Sequence, residues 1–409
     1  MRILYIGSIY APQTKDEIIS NIKRNKPLLT ATDLFQRNIL KGFVQNNLQI
    51  DILTVPPVPS YPFNYRKPYI NTFNFKVENN INAVNIGHCT IPIIKSISIF
   101  FKLVNCIFNM VSKSNTDSIV IVIYSPNPVF LLAANLIKAL YFRKKIFSTL
   151  IIGDVLVLQK TFSFVKKIQL IFDNLVSKLL YGYTDYFILL SKHLKDKYPK
   201  ANHKKTVIVE GIYSPSDLPE KVEDKFDLPV VLYTGSLQEF TGINILVDAF
   251  MKIKNPNLRL IICGSGFYSS YIEKMASIDD RICYKGNIDR EDVLLLQKKA
   301  RLLVNPRQPN YELTKYSFPS KTMEYLASGT PVLMYKLPGI PEEYFQFCYT
   351  LTDLSVDELA SKIDEIVSQT DFELQKKGEE AKRFILENKT ARIQVKKIID
   401  LFSDPLKRN

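Results

Sequence analysis

"NPRQPNYELTKYSFPSKTMEYLASGTPV", residues 305–332, leaves one strand, crosses a turn-rich loop, forms a short helix and enters another strand. That order is one βα unit of a parallel sheet. Its helix has a proline in the first turn, Met323, Leu326 and Ala327 on one face, and Gly329 as a stop ahead of Pro331. Lys321 falls in the first turn, where the backbone dipole is already positive and an acidic residue is the usual choice. Lys321 and Glu324 are three apart and share a face away from the apolar stripe. As an exposed pair they would contribute little, because the lysine precedes the glutamate and opposes the dipole. A diphosphate at the helix start removes that objection. It accepts from Lys321 and from the free backbone N–H groups, while Glu324, one turn deeper, accepts from ribose hydroxyls. Arg307, at the end of the preceding strand, reaches the same diphosphate with its planar fork.

Outward from this unit the alternation of strand and helix continues in both directions. "PVVLYTGS" (229–236), "LRLIICG" (258–264), "ICYKG" (282–286), "RLLVNP" (301–306) and "TPVLMY" (330–335) read as strands, with helices at 242–253 and 290–300. Three of them end in glycine-bearing turns, which makes Gly235, Ser236, Gly264, Ser265, Gly266 and Asn287 candidates for holding a nucleotide. The run Tyr316, Ser317, Phe318, Pro319, Ser320 and Thr322 joins them around Lys321. Upstream, strands at 2–7, 49–55, 118–124, 145–152, 186–191 and 206–212 build an earlier sheet. The expected architecture is α/β, with two doubly wound Rossmann-like domains facing each other across a cleft. Residues 1–212 are expected to form the first domain, 213–228 the linker, and 229–375 the second, nucleotide-binding domain. A helix in 376–409 crosses back to the first domain.

From "VVLYTGSL" to "EYLASGTPVL" the chain resembles the nucleotide-binding half of the retaining family-four glycosyltransferases of GT-B fold. The similarity is greatest to the subgroup that makes bacterial capsular or extracellular polysaccharide, through the signature "NPR…YSFPSK…EY.ASG.PV". The resemblance implies transfer of a hexose or N-acetylhexosamine, with retention, from a nucleotide sugar, most simply UDP-linked, to a polyprenyl-diphosphate-linked oligosaccharide. It implies no cofactor and no metal, because basic side chains and a helix dipole neutralise the leaving diphosphate. Departures from the family pattern are specific. The family's arginine after Gly235 and lysine before Gly242 are Ser236 and Thr241 here, so Arg307 and Lys321 are expected to supply the charge. The first of two family glutamates falls at Tyr316, and the family's first-domain histidine is missing. Asp154 in "IIGDVL" stands near that place, as a donor-sugar or acceptor contact or as the cap of a strand end.

Composition sets the remaining expectations. A chain of 409 residues, 46% hydrophobic and 23% charged, is globular and too long for a single core. Cys89, Cys106, Cys263, Cys283 and Cys348 are scattered in apolar runs, as reduced core residues of a cytosolic protein are. His88, His193 and His203 form no triad or metal set and are assigned structural or surface roles, His88 and His203 in polar surroundings and His193 in a helix of interdomain type. The net charge of +14 is carried by the first half, where residues 1–212 hold 27 basic against 11 acidic side chains. An anionic partner surface follows. In 91–108 and 162–183 the lysines alternate with long apolar runs, as on a core helix with a solvated lysine face or on a helix lying against a membrane. The expected location is the cytoplasm, peripheral on the inner face of the cytoplasmic membrane. A sugar-nucleotide epimerase of the same fold and a noncatalytic basic binding protein are the rivals. Nucleic acid is not an expected partner, because the chain carries no recognisable nucleic-acid module.

Overall fold

The computed structural model describes residues 1–23, 30–77, 81–116, 118–153, 164–215 and 225–406. The chain divides into two units, Met1–Ile212 with Ala391–Asn409, and Tyr213–Thr390.

The first unit contains strands β1 (Arg2–Gly7), β2 (Ile50–Thr54), β3 (Tyr69–Ile70), β4 (Phe73–Val77), β5 (Ile81–Asn85), β6 (His88–Cys89), β7 (Ser118–Tyr124), β8 (Lys145–Ile152), β9 (Tyr186–Leu189) and β10 (Lys205–Ile208). Its helices are α1 (Pro12–Ser20), α2 (Thr30–Gln45), α3 (Ile94–Ser112), α4 (Pro128–Leu140), α5 (Phe164–Leu180) and α6 (Leu194–Lys197). Eight strands make one sheet in the order β10-β9-β8-β7-β1-β2-β5-β4, parallel except for β4. Strand β7, "SIVIVIY", is buried at every residue, as an uninterrupted β-branched run must be when helices cover both faces. Alternate residues serve the two faces. Tyr5, Val120 and Val122 share a core with Ile39 and Phe43 of α2, while Leu4, Ile6, Ile121 and Ile123 point the other way. On that second face α3, α4 and α5 lie side by side, with α4 in the middle. The hairpin β4–β5 and the small β3–β6 pair were not read from the sequence. His88 differs from its expected polar setting. It is fully buried, its Nδ1 lies 2.9 Å from the Ile86 carbonyl, and burial pushes its pKa down to about 4.

The second unit runs β11 (Val230–Thr234), α7 (Ile243–Lys252), β12 (Arg259–Cys263), α8 (Ser269–Ile278), β13 (Ile282–Gly286), α9 (Arg290–Lys299), β14 (Leu302–Asn305), α10 (Leu313–Tyr316), α11 (Ser320–Ala327), β15 (Val332–Tyr335), β16 (Tyr349–Leu351), α12 (Val356–Val367) and α13 (Asp371–Asn388). Its six strands are all parallel, in the order β13-β12-β11-β14-β15-β16. Cys283 on β13 is exposed, not a core residue.

Two boundaries differ from the sequence reading. Phe226 packs on the core of the second unit and Lys225 donates to the Lys298 and Ala300 carbonyls, so the end of the expected linker belongs to that unit. The tail is two helices, not one. Helix α13 stays in the second unit, where Gly378 lies against the backbone of Gly329 and no side chain would fit. Only α14 (Ala391–Leu406) joins the first unit, packing on α2 through Val395 and Ile398.

Candidate functional site

In the second unit β12 and β13 lie on one side of β11, and β14, β15 and β16 on the other. The connections after β11 and β14 therefore diverge at the carboxyl edge, the place where open α/β sheets take ligands. Gly235 follows β11, and Arg307 comes two residues after β14.

Lys321 lies between them in the first turn of α11, a helix with Pro319 at its N-cap, no side-chain cap and no acidic residue in its first turn. Its ammonium donates to the Thr234 carbonyl at the end of β11. A Cβ on Gly235 would collide with that ammonium, and a Cβ on Gly264 would strike the Gly235 carbonyl. Both glycines have positive φ, +156° and +137°, so the close approach and the backbone course each call for glycine. Burial pushes the Lys321 pKa down to about 8, against the attraction of Glu324 and Cys263.

Arg307 lies near enough to Tyr233 for its charge to act on that hydroxyl. Its guanidinium lies 5.4 Å from the Phe240 ring centre, and Nη2 donates to Ser317 Oγ at 3.3 Å. Lys321 Nζ is 5.6 Å from the Tyr233 ring centre. The Tyr233 hydroxyl donates to the Ser236 carbonyl at 2.7 Å and is held neutral, burial pushing its pKa up to about 12. Each cationic group thus lies over its own aromatic ring, Arg307 over Phe240 and Lys321 over Tyr233.

Glu324 does not pair with Lys321 as an exposed i, i+3 couple. Its Oε1 accepts from Gln297 Nε2 at 2.7 Å, and its Oε2 lies 3.0 Å from Arg290 Nη1. Gln297, fully buried, also donates to Thr234 Oγ1 at 3.2 Å. The Tyr325 hydroxyl accepts from Thr234 N–H at 2.8 Å and donates to the Thr234 carbonyl at 3.2 Å. Lys321, Tyr325 and Gln297 therefore converge on Thr234, the last residue of β11, and Glu324 joins them through Gln297. Gln297, Tyr325, Tyr233 and Arg290 were not singled out in the sequence. The available signal was a polar residue on an apolar helical stripe, because Gln297 lies three residues from buried Leu294.

The other expected residues divide into two groups. Ser265 and Asn287 are exposed and tie the turns after β12 and β13 together, Asn287 Nδ2 donating to Ser265 Oγ at 3.0 Å. Gly266 lies against the Leu237 backbone and its N–H donates to Ser269 Oγ at 3.1 Å, while Ser236 and Ser320 are exposed. In contrast, Phe318 packs into the core with its ring centre 5.4 Å from that of Tyr344. Thr322 is buried, with a hydroxyl that has no partner among the described residues. Tyr316 is buried at the end of α10, and Pro319 precedes the first helical turn instead of lying within it. The apolar side of α11 takes up Phe318 and Thr322, which leaves Lys321 and Glu324 on the strand edge. Asp154 lies outside the described residues.

Comparison with known proteins bears on this geometry. Residues 216–384, which lie within the second unit, match the family described as glycosyl transferases group 1. The uncharacterized glycosyltransferase YqgM of Bacillus subtilis is 26% identical over 137 residues, 32% of this chain and 38% of that protein. An uncharacterized glycosyltransferase of Methanocaldococcus jannaschii is 21% identical over 264 residues, 58% of this chain and 63% of that protein. The chain thus aligns with less than two thirds of the length of either relative. Among solved structures, sucrose-phosphate synthase of Thermosynechococcus elongatus superposes with a TM-score of 0.64 at 15% identity, over 100% of both chains. Anabaena HepE in complex with UDP does so with a TM-score of 0.62 at 15% identity, over 99% of this chain and 100% of that one. The fold is α/β with Rossmann-like parallel-sheet domains, that of the GT-B glycosyltransferases.

Proposed function

We propose that this chain is a glycosyltransferase that binds a nucleotide sugar at the carboxyl edge of its second sheet and passes the sugar to an acceptor. The observation that carries the reading is Lys321. An ammonium desolvated enough to bring its pKa near 8, set in a first helical turn that holds no acidic residue while Glu324 further along is engaged by Gln297 and Arg290, is a site that lacks a close negative charge. A diphosphate supplies that charge, with Arg307 on its other side and the backbone of the Gly235 turn beneath.

In the proposed step the acceptor hydroxyl oxygen bonds to the anomeric carbon as the bond from that carbon to the diphosphate oxygen breaks. The hydroxyl proton passes to the departing diphosphate oxygen on the same face, so configuration is retained and no enzymic nucleophile is needed. Lys321 and Arg307 stabilise the charge that grows on the leaving group. Glu324 accepts from the ribose hydroxyls, already oriented by Arg290 and Gln297. Asp154 is proposed to contact the donor sugar or the acceptor hydroxyl. The UDP in the HepE complex supports a uridine donor. The proposed acceptor is a polyprenyl-diphosphate-linked oligosaccharide of a surface polysaccharide, bound by the basic first unit, and the sugar a hexose or N-acetylhexosamine.

Thermal unfolding in the presence of a panel of sugar nucleotides tests the reading, because a ligand bound to the native state raises its midpoint by mass action. A uridine-diphosphate sugar is expected to protect and, with acceptor, to give a product of unchanged anomeric configuration. Epimer formation from donor alone would replace transfer with isomerisation, and protection by none of the panel would remove the donor site.

A further inference from the structure

Three neighbouring helices of the first unit turn apolar stripes outward. On α5, Ile168, Ile171, Phe172, Leu175 and Leu179 are all exposed and fall at the i, i+3, i+4, i+7, i+11 spacing of one helical face, while buried Ser177 donates to the Pro126 carbonyl on the inner side. The amphipathic pattern of this helix is therefore inverted relative to a core helix, whose apolar side faces the sheet. Helix α4 exposes Leu132, Leu136 and Leu140, followed by Phe142 at 77%. Helix α3 exposes Ile97, Phe101 and Phe108 in a single line, with Phe101 at 66%. Since α4 lies between α3 and α5, the three stripes belong to one surface.

Among the described residues α3 is long and apolar enough to cross a membrane. Its opposite face excludes that course, because Ile99, Leu103, Ile107 and Val111 are buried against the unit. The helix lies along the domain and presents only its outer side.

We infer that the outer face of α3, α4 and α5 is a docking surface for a bilayer rich in anionic lipids, with the helices lying in the headgroup plane. Charge selects this occupant. Residues 91–183 hold eleven basic and three acidic side chains, so lysines and an arginine border the apolar stripes. Lys102, Arg143, Lys167 and Lys178 keep their charged ends in the headgroup layer while the rings and leucines enter the acyl boundary. A second copy of this chain is a poor occupant, since a two-fold contact would set two like-charged segments against each other. The inference rests on the first unit alone and does not depend on the sugar-nucleotide reading.

Cosedimentation of the full chain with vesicles of phosphatidylglycerol and phosphatidylcholine, compared with phosphatidylcholine alone, tests it. The protein should pellet with the anionic vesicles at low ionic strength and leave them progressively as salt rises. The double variant Phe172→Glu, Leu175→Glu changes two exposed side chains, and each should weaken partitioning by about tenfold or more, the equivalent of losing one buried aromatic or leucine side chain. Its far-ultraviolet circular dichroism and unfolding midpoint should equal those of the unaltered chain, which separates loss of docking from loss of fold. Equal partitioning onto both vesicle types, or full retention by the double variant, overturns the inference. So does a dimer in sedimentation velocity that the double variant abolishes while the unaltered chain ignores vesicles.

Discussion

Replacing Lys321 by methionine should make the free protein more stable while removing its donor site. The lysine pKa falls from 10.5 to about 8 on folding, so holding the charge there at neutral pH costs on the order of 3 kcal/mol. Methionine has similar length and carries no charge. It forfeits the hydrogen bond to the Thr234 carbonyl, worth about 1 kcal/mol net, but that oxygen keeps the Tyr325 hydroxyl at 3.2 Å. The net gain is about 2 kcal/mol, which for a unit of this size corresponds to roughly 4–8 °C in the unfolding midpoint. The sign depends on pH. The unfolded lysine stays protonated up to 10.5, whereas the folded one releases its proton near 8, so between these values the unfolded state binds more protons and the unaltered protein gains stability as pH rises. The advantage of Lys321→Met should therefore be full below pH 8, shrink above it, and reverse slightly near pH 10.5. Denaturant unfolding of both proteins at pH 7 and pH 10.5, followed by a probe in the second unit, reads this directly. A variant less stable than the parent at pH 7, or a difference that does not change with pH, would refute the desolvated-ammonium account.

Arg307→Ala should lower turnover by about 10²-fold or more through lost stabilisation of the leaving group, and adding Ser236→Arg with Thr241→Lys should restore part of it in steady-state assays. Glu324→Gln should weaken donor binding by roughly 1–3 kcal/mol, seen mainly in the donor KM. A 2′,3′-dideoxyribose donor should then be penalised in the parent and hardly further in the variant. Thr322→Val keeps the side-chain shape and removes a buried hydroxyl that lacks a partner among the described residues, so it should stabilise by about 1 kcal/mol and leave the donor KM unchanged. A raised KM in that variant would mean that Thr322 faces the ligand.

The parallel sheets were legible because buried strands are written as unbroken apolar runs. "RILYIG" and "SIVIVIY" coincide with β1 and β7 residue for residue. The position of Lys321 was legible for a local reason, since a basic residue in a first helical turn contradicts the dipole whatever the tertiary setting. What surrounds Glu324 was not, because Arg290 and Gln297 arrive from a helix some thirty residues away, and a spacing rule along one helix does not see across the sheet. Burial of Phe318 and Thr322 escaped for the same reason. A polar residue precedes each of them, Ser317 and Lys321, and the side each takes depends on how α11 packs near Tyr344 and α13. The tail was misread as one helix because Lys389 and Thr390 contain neither glycine nor proline. The break is tertiary, with Tyr213 N–H donating to the Lys389 carbonyl at 2.9 Å and Lys389 Nζ lying 2.6 Å from Glu343 Oε1.

Calorimetric titration of the full chain with UDP, UMP and uridine at pH 7, repeated with Lys321→Met and Arg307→Ala, measures whether the second unit is organised around a diphosphate. UDP should bind more tightly than UMP, uridine more weakly still, and each substitution should weaken UDP by tenfold or more while leaving uridine almost unaffected. Above pH 8 the unaltered protein should lose UDP affinity as Lys321 gives up its proton, and Lys321→Met should not. Equal affinity for UDP and uridine, or UDP binding indifferent to both substitutions, would contradict it.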